Sequence, residues 1–195
     1  MRHVKAIAPM CLLVFCLTGC TPGGEIINKA DKVPASPLVE DANDAKAGDT
    51  ISLKGSWGQK IKVVALGLVD SEPSATGTRL VAVQFWIQNA GKKGYVDEPA
   101  KGAKAIDSQG HQFPAARTAQ MPKAGPLLPL VVKVPYKGCV QGSLVFAVPE
   151  GSTITRVQFG ADGGHGQTGE WIVDLPGKPD GPPTCPTRIS GPPSG

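Results

Sequence analysis

The clearest hydrophobic pattern in the chain spans residues 80–91, LVAVQFWIQNAG. Two sets of side chains alternate there, an apolar set (Val81, Val83, Phe85 and Ile87) and a mixed set (Ala82, Gln84, Trp86 and Gln88). Because successive side chains of a β-strand point to opposite faces, this period predicts a strand with one face in a core and the other toward water or a partner. Residues 89–91 tolerate turn geometry and end the predicted strand. We interpret the stretch as the central strand of an antiparallel β-sandwich.

Short alternating stretches recur along the chain between turn signals. They predict further strands at 49–53, 60–69, 102–107, 112–115, 130–134, 140–148, 154–159 and 170–175. A polar loop over 70–77, an irregular crossover over 117–129 and a hairpin turn with Gly110 in a left-handed conformation connect some of them. No stretch shows a sustained period of 3.6 residues, so the pattern predicts an all-β sandwich or barrel.

Both ends of the chain differ from this pattern. Residues 1–19 combine a basic start with an apolar run that is too short to span a bilayer, and Leu17-Thr18-Gly19-Cys20 matches a bacterial lipobox. The match predicts cleavage before Cys20 and lipidation of its sulfur, which anchors the protein to the membrane on its extracytoplasmic side. The alternative is an ordinary secretory leader in which Cys20 is a chance thiol.

The composition therefore predicts four segments. Residues 1–19 are a lipoprotein signal peptide, 20–47 a lipidated flexible tether, 48–175 the sandwich, and 176–195 a flexible tail rich in Pro and Gly. The 20 basic residues include Arg2 and Lys5 of the leader, so the mature chain carries 18 against 16 acidic residues. Its lysines are scattered without a basic stripe, and we therefore expect no nucleic-acid partner.

Four stretches of the predicted domain also have a familiar order and spacing. They are GDT at 48–50, NAG at 89–91 with YVDEP at 95–99, GAK at 102–104 with DSQG at 107–110, and LVFAVPEG at 144–151. Over residues 48–175 they resemble the actinobacterial lipoproteins that carry a telokin-like domain of unknown function, relatives of the mycobacterial immunoprotective extracellular antigens. The resemblance implies an immunoglobulin-like antiparallel β-sandwich outside the membrane, with no defined catalytic residues. The second strand lacks the cysteine of antibody-type domains.

Two cysteines remain once the leader and Cys20 are set aside. In an oxidising compartment Cys139 and Cys185 predict a disulfide that ties the tail to the start of the 140–148 strand, with two free thiols as the alternative. The tail is long enough for Cys185 to reach Cys139, so the 170–175 strand must lie within that reach, and we expect it near the 140–148 strand.

The sequence offers little reactive chemistry. His111, His165, Cys139 and Cys185 lack zinc-ligand spacing, so we expect no metal. Residues 164–169 match GxGxxG, but a strand pattern follows where a dinucleotide site needs a helix, and we expect no cofactor. Asp97 and Glu98 are adjacent and point opposite ways in an extended segment, so we expect that they cannot act together as a carboxylate pair. Trp57, Trp86 and Trp171 either line a ligand surface or pack in the core.

The sequence predicts the cellular location of the protein more specifically than its function. The leading hypothesis is a non-catalytic binding module on the cell surface, joined to the membrane through Cys20 and with an unknown ligand. The alternatives are an envelope accessory protein without a specific ligand, and a hydrolase or inhibitor with an unrecognised site. An exposed cluster of Trp86 and its neighbours favours the first hypothesis, and an entirely polar, patch-free surface favours the second.

Overall fold

The computed structural model describes residues 45–73, 77–117 and 121–173, together with Cys185. Ten strands form most of this region: β1 Thr50–Lys54, β2 Lys60–Pro73, β3 Thr78–Asn89, β4 Tyr95–Asp97, β5 Ala103–Asp107, β6 Gln112–Pro114, β7 Val132–Val134, β8 Cys139–Pro149, β9 Ile154–Gly160 and β10 Thr168–Ile172. Two one-turn helices, α1 Pro99–Gly102 and α2 Ala161–Gly164, and a 3-10 turn at Pro122–Ala124 complete it.

The strands form two four-stranded antiparallel sheets, and a two-stranded ribbon joins β4 to β7. The strand order is β1-β2-β3-β8 in the first sheet and β10-β9-β5-β6 in the second. One hydrophobic core contains side chains of both sheets and of the ribbon. The protein is therefore an all-β, immunoglobulin-like antiparallel β-sandwich, as the sequence predicted.

Strand β3 holds the central position that its pattern predicted, because β2 and β8 pair with it on either side. All four residues of its apolar set lie in the main core. There Phe85 packs against Phe159 and Trp171 of the second sheet, with ring centroids 5.5 and 6.2 Å away. The Trp171 indole Nε1–H donates to the Asp49 carbonyl at 2.9 Å. Trp171 is thus a core residue that fixes the entry to β1.

The mixed face of β3 is less exposed than its pattern predicted. Ala82 is buried beneath Met121 and Ala124, which belong to the crossover between β6 and β7. Trp86 is only 4% exposed and packs with Val64 and Leu66. The prediction that this face meets water or a partner is therefore wrong at Ala82 and Trp86, because remote segments and neighbouring strands of the same chain shield their apolar surface.

Other strand predictions need smaller corrections. Strand β2 continues to Pro73, so pairing with β3 takes up half of the predicted 70–77 loop. The ribbon strand β4 was missed, because three residues are too short a run to show a period. The β5–β6 hairpin is confirmed, and Gly110 has the left-handed φ of 88°.

The expected neighbourhood of the last strand is wrong. Strand β10 lies at the edge of the second sheet that faces β1, where Lys46 bridges to Ile172. Strand β8 lies at the opposite edge, facing β6. The two strands are therefore separated by the width of the sandwich.

The predicted disulfide is present nonetheless. Cys139 and Cys185 are bonded, with their α-carbons 5.6 Å apart and a sequence separation of 46 residues. Cys139 is partly buried against the Trp86 cluster. The bond thus fixes residue 185 to the first residue of β8.

The described fold begins slightly before the predicted domain start. Ala45 and Ala47 bond through their backbones to Ile172 and pack against the core, although both fall in the predicted tether. Cys20, the signal peptide and most of the tether and tail lie outside the described residues. In the part that the structure describes, no helix is long and apolar enough to cross a membrane.

Candidate ligand-binding site around Trp57

The β1–β2 turn presents the most exposed large apolar side chain of the described chain. Trp57 is 87% exposed there. Its backbone amide donates to the Gln59 side-chain oxygen at 3.0 Å, and the Gly58 amide donates to the Gly55 carbonyl at 3.0 Å. Gly58 has a φ of 75°, a conformation that glycine adopts without strain. The turn therefore has a defined backbone, from which the indole projects into solvent.

The β1–β2 turn is held in place by α2, which lies more than 100 residues further along the chain. The Asp162 carboxylate accepts hydrogen bonds from the Ser56 amide at 2.6 Å and from the Ser56 hydroxyl at 2.7 Å. Gly55 lies so close that a β-carbon on it would come within 2.5 Å of an Asp162 carboxylate oxygen. Asp162 itself has a φ of 52°, a conformation that L-residues adopt at a cost and that Asp and Asn tolerate best.

A buried network beneath α2 holds Asp162 in place. The Tyr95 hydroxyl donates to Asp97 Oδ2 at 2.6 Å and accepts from the Asp162 amide at 3.2 Å. The Gly163 amide donates to Asp97 Oδ1 at 2.6 Å. Strand β4 supplies both Tyr95 and Asp97 on its inward face. The ribbon, α2 and the Trp57 turn are thus linked by successive hydrogen bonds.

The buried groups of this network have shifted proton affinities. Burial raises the pKa of Asp97, and the hydrogen bonds from Tyr95 and Gly163 only partly offset the effect. Burial and the neighbouring Asp97 carboxylate raise the pKa of the Tyr95 hydroxyl, so Tyr95 remains a donor. Asp97 is 4% exposed and has no cationic partner among the described residues. Burial therefore makes the ionisation of Asp97 less favourable than it is in water.

A first cavity of about 430 Å³ opens between the Trp57 turn and the ribbon. Its walls are apolar where Val96 and Val131 are exposed, at 57% and 47%. Ten residues line it: Trp57, Gln59, Val96, Asp97, Glu98, Lys101, Val131, Asp162, Gly163 and His165. We call this space the ribbon cavity.

One charged group of the ribbon cavity is already neutralised. Glu98 accepts from Lys101 Nζ at 2.8 Å and also forms an ion pair with Arg117. The Lys101 hydrogen bond lowers the pKa of Glu98, which therefore stays ionised at neutral pH. Both Lys101 and Arg117 point their charge at Glu98, whereas Asp97 and Asp162 have no ion pair among the described residues.

A second cavity of about 630 Å³ also borders Trp57. Its other lining residues come from the rest of the β1–β2 turn, from the start of β2 and from the turn between β3 and β4, and they include Lys60, Lys92 and Lys93. No acidic residue belongs to this lining. We call it the lysine cavity. Trp57 therefore borders two concave surfaces of different charge.

A third concavity, of about 610 Å³, is lined by the β5–β6 hairpin and by residues 149–153. His111 lies there beside Asp107, at 3.0 Å. Among residues 45–73, 77–117 and 121–173, no group of three His, Cys, Asp or Glu side chains is placed to hold a metal ion.

The structure separates the three tryptophans that the sequence could not distinguish. Trp171 is in the core, Trp86 is buried on the outer face of the first sheet, and Trp57 is exposed at the site. The stretch 164–169 leads from α2 directly into β10. Sequence reasoning missed Ser56, Tyr95 and Asp162, because no local pattern shows that residues far apart in the chain meet.

Comparison with known proteins identifies no family. No family model matches the chain, and no curated protein matches its sequence. Among solved structures, the fold is similar to that of MPT63, a secreted protein of Mycobacterium tuberculosis, with 14% identity over 71% of this chain and 98% of that one, at a TM-score of 0.47.

Two further solved structures are similar at the same level. YcdA, a candidate lipoprotein of Bacillus subtilis, has 11% identity over 68% of this chain and 40% of its own, at a TM-score of 0.46. An uncharacterised β-sandwich protein of Clostridium difficile has 10% identity over 69% of this chain and 99% of its own, at a TM-score of 0.37. Similarity at these scores assigns neither family nor function to the chain.

Proposed function

We propose that this protein is a lipid-anchored, non-catalytic binding module outside the membrane, and that it binds its partner at the surface around Trp57. The observation that carries the proposal is the 87% exposure of an indole between two cavities. Aromatic side chains are enriched at binding surfaces, where a tryptophan contributes a large contact area. A side chain placed in this way is costly to leave in water, and a partner would remove that cost.

The rigidity of the turn supports the same role. Ser56, Asp162 and the Tyr95–Asp97 pair fix the backbone that carries Trp57 before any partner arrives. A preorganised surface loses little conformational entropy on binding. The left-handed Asp162 is also a conformational outlier of the kind that clusters at functional sites.

The proposed location depends on the sequence of the N-terminal region. Cys20 follows a lipobox, and residues 20–44 would span the distance between the membrane and the domain. The resemblance to telokin-like lipoproteins agrees with this placement. Replacing Cys20 with Ser should abolish acyl labelling and processing of the protein. Acyl labelling that survives the replacement would contradict the anchor.

The binding role is tested by capture from the cell envelope and the culture medium with the full-length protein. Trp57→Ala should reduce the recovery of the specifically captured component by about tenfold, the scale of a hot-spot residue. Tyr136→Ala provides a matched control, because Tyr136 is a second exposed aromatic residue, at 53%, and lines neither cavity.

Equal recovery by the wild type and Trp57→Ala would contradict the proposed surface. A captured component that depends on Tyr136 instead would place the binding site elsewhere on the sandwich. No specific component at all would support an accessory role without a ligand.

A further inference from the structure

We infer that the ribbon cavity binds a cationic side chain on an aliphatic stem, the lysine or arginine of a basic segment in a protein partner. The inference rests on the proposed function and names the chemistry of its ligand. Three observations carry it, namely a buried carboxylate without a counter-ion among the described residues, an exposed apolar wall and the opposite charge of the neighbouring cavity.

The first observation concerns the charge of the cavity. Asp97 borders it and is 4% exposed, and its carboxylate accepts hydrogen bonds from the Tyr95 hydroxyl and from the backbone amides of Gly163 and Glu98. A carboxylate has about four acceptor sites, so Asp97 can still accept a further donor. Asp162 also lines the cavity and forms no ion pair among the described residues. An ammonium or guanidinium group would supply the missing charge and donors.

The nearest resident cation does not fill this role. Lys101 lies against α2, since a β-carbon on Gly163 would be 3.4 Å from the Lys101 β-carbon. Its ammonium group nevertheless bonds to Glu98 at 2.8 Å, on the rim. Arg117 also pairs with Glu98. Glu98 therefore holds both of these cations, and the buried Asp97 and the half-buried Asp162 form no ion pair among the described residues.

The second observation concerns the wall of the cavity. Trp57, Val96 and Val131 present apolar surface that is largely exposed to water. The methylene stem of a lysine or arginine can cover such surface while its charged head reaches a polar group. A cation over the face of a tryptophan gains a further attraction from the ring. A purely apolar ligand would leave the carboxylates unpaired, and an anionic ligand would be repelled by them.

The third observation fixes the orientation of the ligand. The lysine cavity on the same tryptophan carries Lys60, Lys92 and Lys93, which would repel a second positive charge. A basic side chain therefore has one favourable position beside Trp57, on the side of Asp97 and Asp162.

The test uses the full-length protein in detergent, with ¹⁵N labelling of its three tryptophan indoles. The probe is an acetylated, amidated pentapeptide with one lysine between glycines, and the matched control carries Nε-acetyl-lysine, which keeps the stem and loses the charge. The lysine peptide should shift the Trp57 indole signal saturably, with an affinity about five- to tenfold higher than that of the control. The buried Trp171 signal should not move.

Three variants sharpen the test. Asp162→Asn should lower the affinity for the lysine peptide about fivefold, because Asn keeps an acceptor for Ser56 and tolerates the left-handed backbone but loses the charge. Lys92→Ala, in the lysine cavity, should leave this affinity unchanged or slightly higher. Asp97→Asn tests the deeper carboxylate and should also weaken binding.

The outcomes separate this inference from the proposed function. Equal affinity for the two peptides, or no effect of Asp162→Asn, would overturn the cationic ligand. If Trp57→Ala still reduces capture of the envelope component in that case, the proposed binding surface is supported and only the proposed ligand chemistry is wrong. If Trp57→Ala leaves capture intact, the proposed function fails, whatever the peptides do.

Discussion

The Asp162 carboxylate accepts two hydrogen bonds from Ser56, at 2.6 and 2.7 Å, across a separation of 106 residues. This contact joins the turn that carries Trp57 to the segment between β9 and β10. The second sheet therefore positions a side chain that the first sheet displays. The stability of the two sheets and the geometry of the proposed binding surface are linked through this pair.

Removing the Asp162 side chain should loosen the Trp57 turn. Asp162→Ala loses both hydrogen bonds to Ser56 and places Ala in a left-handed conformation, so we expect destabilisation by about 2–3 kcal/mol. Asp162→Asn should cost about 1 kcal/mol or less, because Asn keeps an acceptor and tolerates this backbone. Urea denaturation of both variants measures the difference. Equal losses would mean that the side-chain contact does not support the turn.

The two faces of β3 make a second prediction. Phe85→Ala should destabilise the protein by about 3–5 kcal/mol, because it empties a site packed against Phe159 and Trp171. Gln84→Ala, on the opposite face and only half-buried, should cost about 1 kcal/mol or less. Thermal unfolding of the two variants provides the comparison. A Gln84→Ala variant as unstable as Phe85→Ala would contradict the assignment of the faces.

The contrast between these faces shows what the sequence could predict. Period-two alternation identified β3, its buried set and its central place, because those depend on the strand itself. The burial of Ala82 depends on Met121 and Ala124, which reach it from a crossover with no regular period. The proposed binding surface was even harder to predict from the sequence. Trp57 was one of three candidate tryptophans, and its exposure is set by contacts between remote segments.

The disulfide should contribute strongly to stability. For the sequence separation of 46 residues between Cys139 and Cys185, the chain-entropy model gives about 4 kcal/mol. Reduction, or the double replacement by Ser, should therefore lower the denaturation midpoint substantially. Non-reducing peptide mapping of protein isolated from outside the cell should yield the linked pair. Two freely alkylated cysteines in that material would contradict the bond.

Asp97 should make stability depend on pH in an unusual direction. Burial raises its pKa above the ordinary value of 3.8, so the folded protein retains the proton to a higher pH than the unfolded chain. The stability linked to this proton is fully present below the unfolded pKa and is lost as pH rises through the folded pKa.

The non-titrating variant Asp97→Asn isolates this effect. The unfolding free energy of the wild type minus that of Asp97→Asn should fall as the pH rises above the ordinary Asp pKa of 3.8, because only the wild type loses the proton. The other carboxylates titrate in both proteins and cancel. A difference that stays constant, or rises with pH, would show that burial does not govern Asp97.

The most direct test of the binding surface is photo-crosslinking in intact cells. Benzoylphenylalanine would replace Trp57 in the full-length protein, and a matched protein would carry it at Tyr136, the other exposed aromatic position. We predict a discrete adduct with one cell-envelope component from position 57 and none of that component from position 136. The same adduct at both positions, or no adduct from position 57 when position 136 gives one, would contradict the assignment of the binding surface to Trp57.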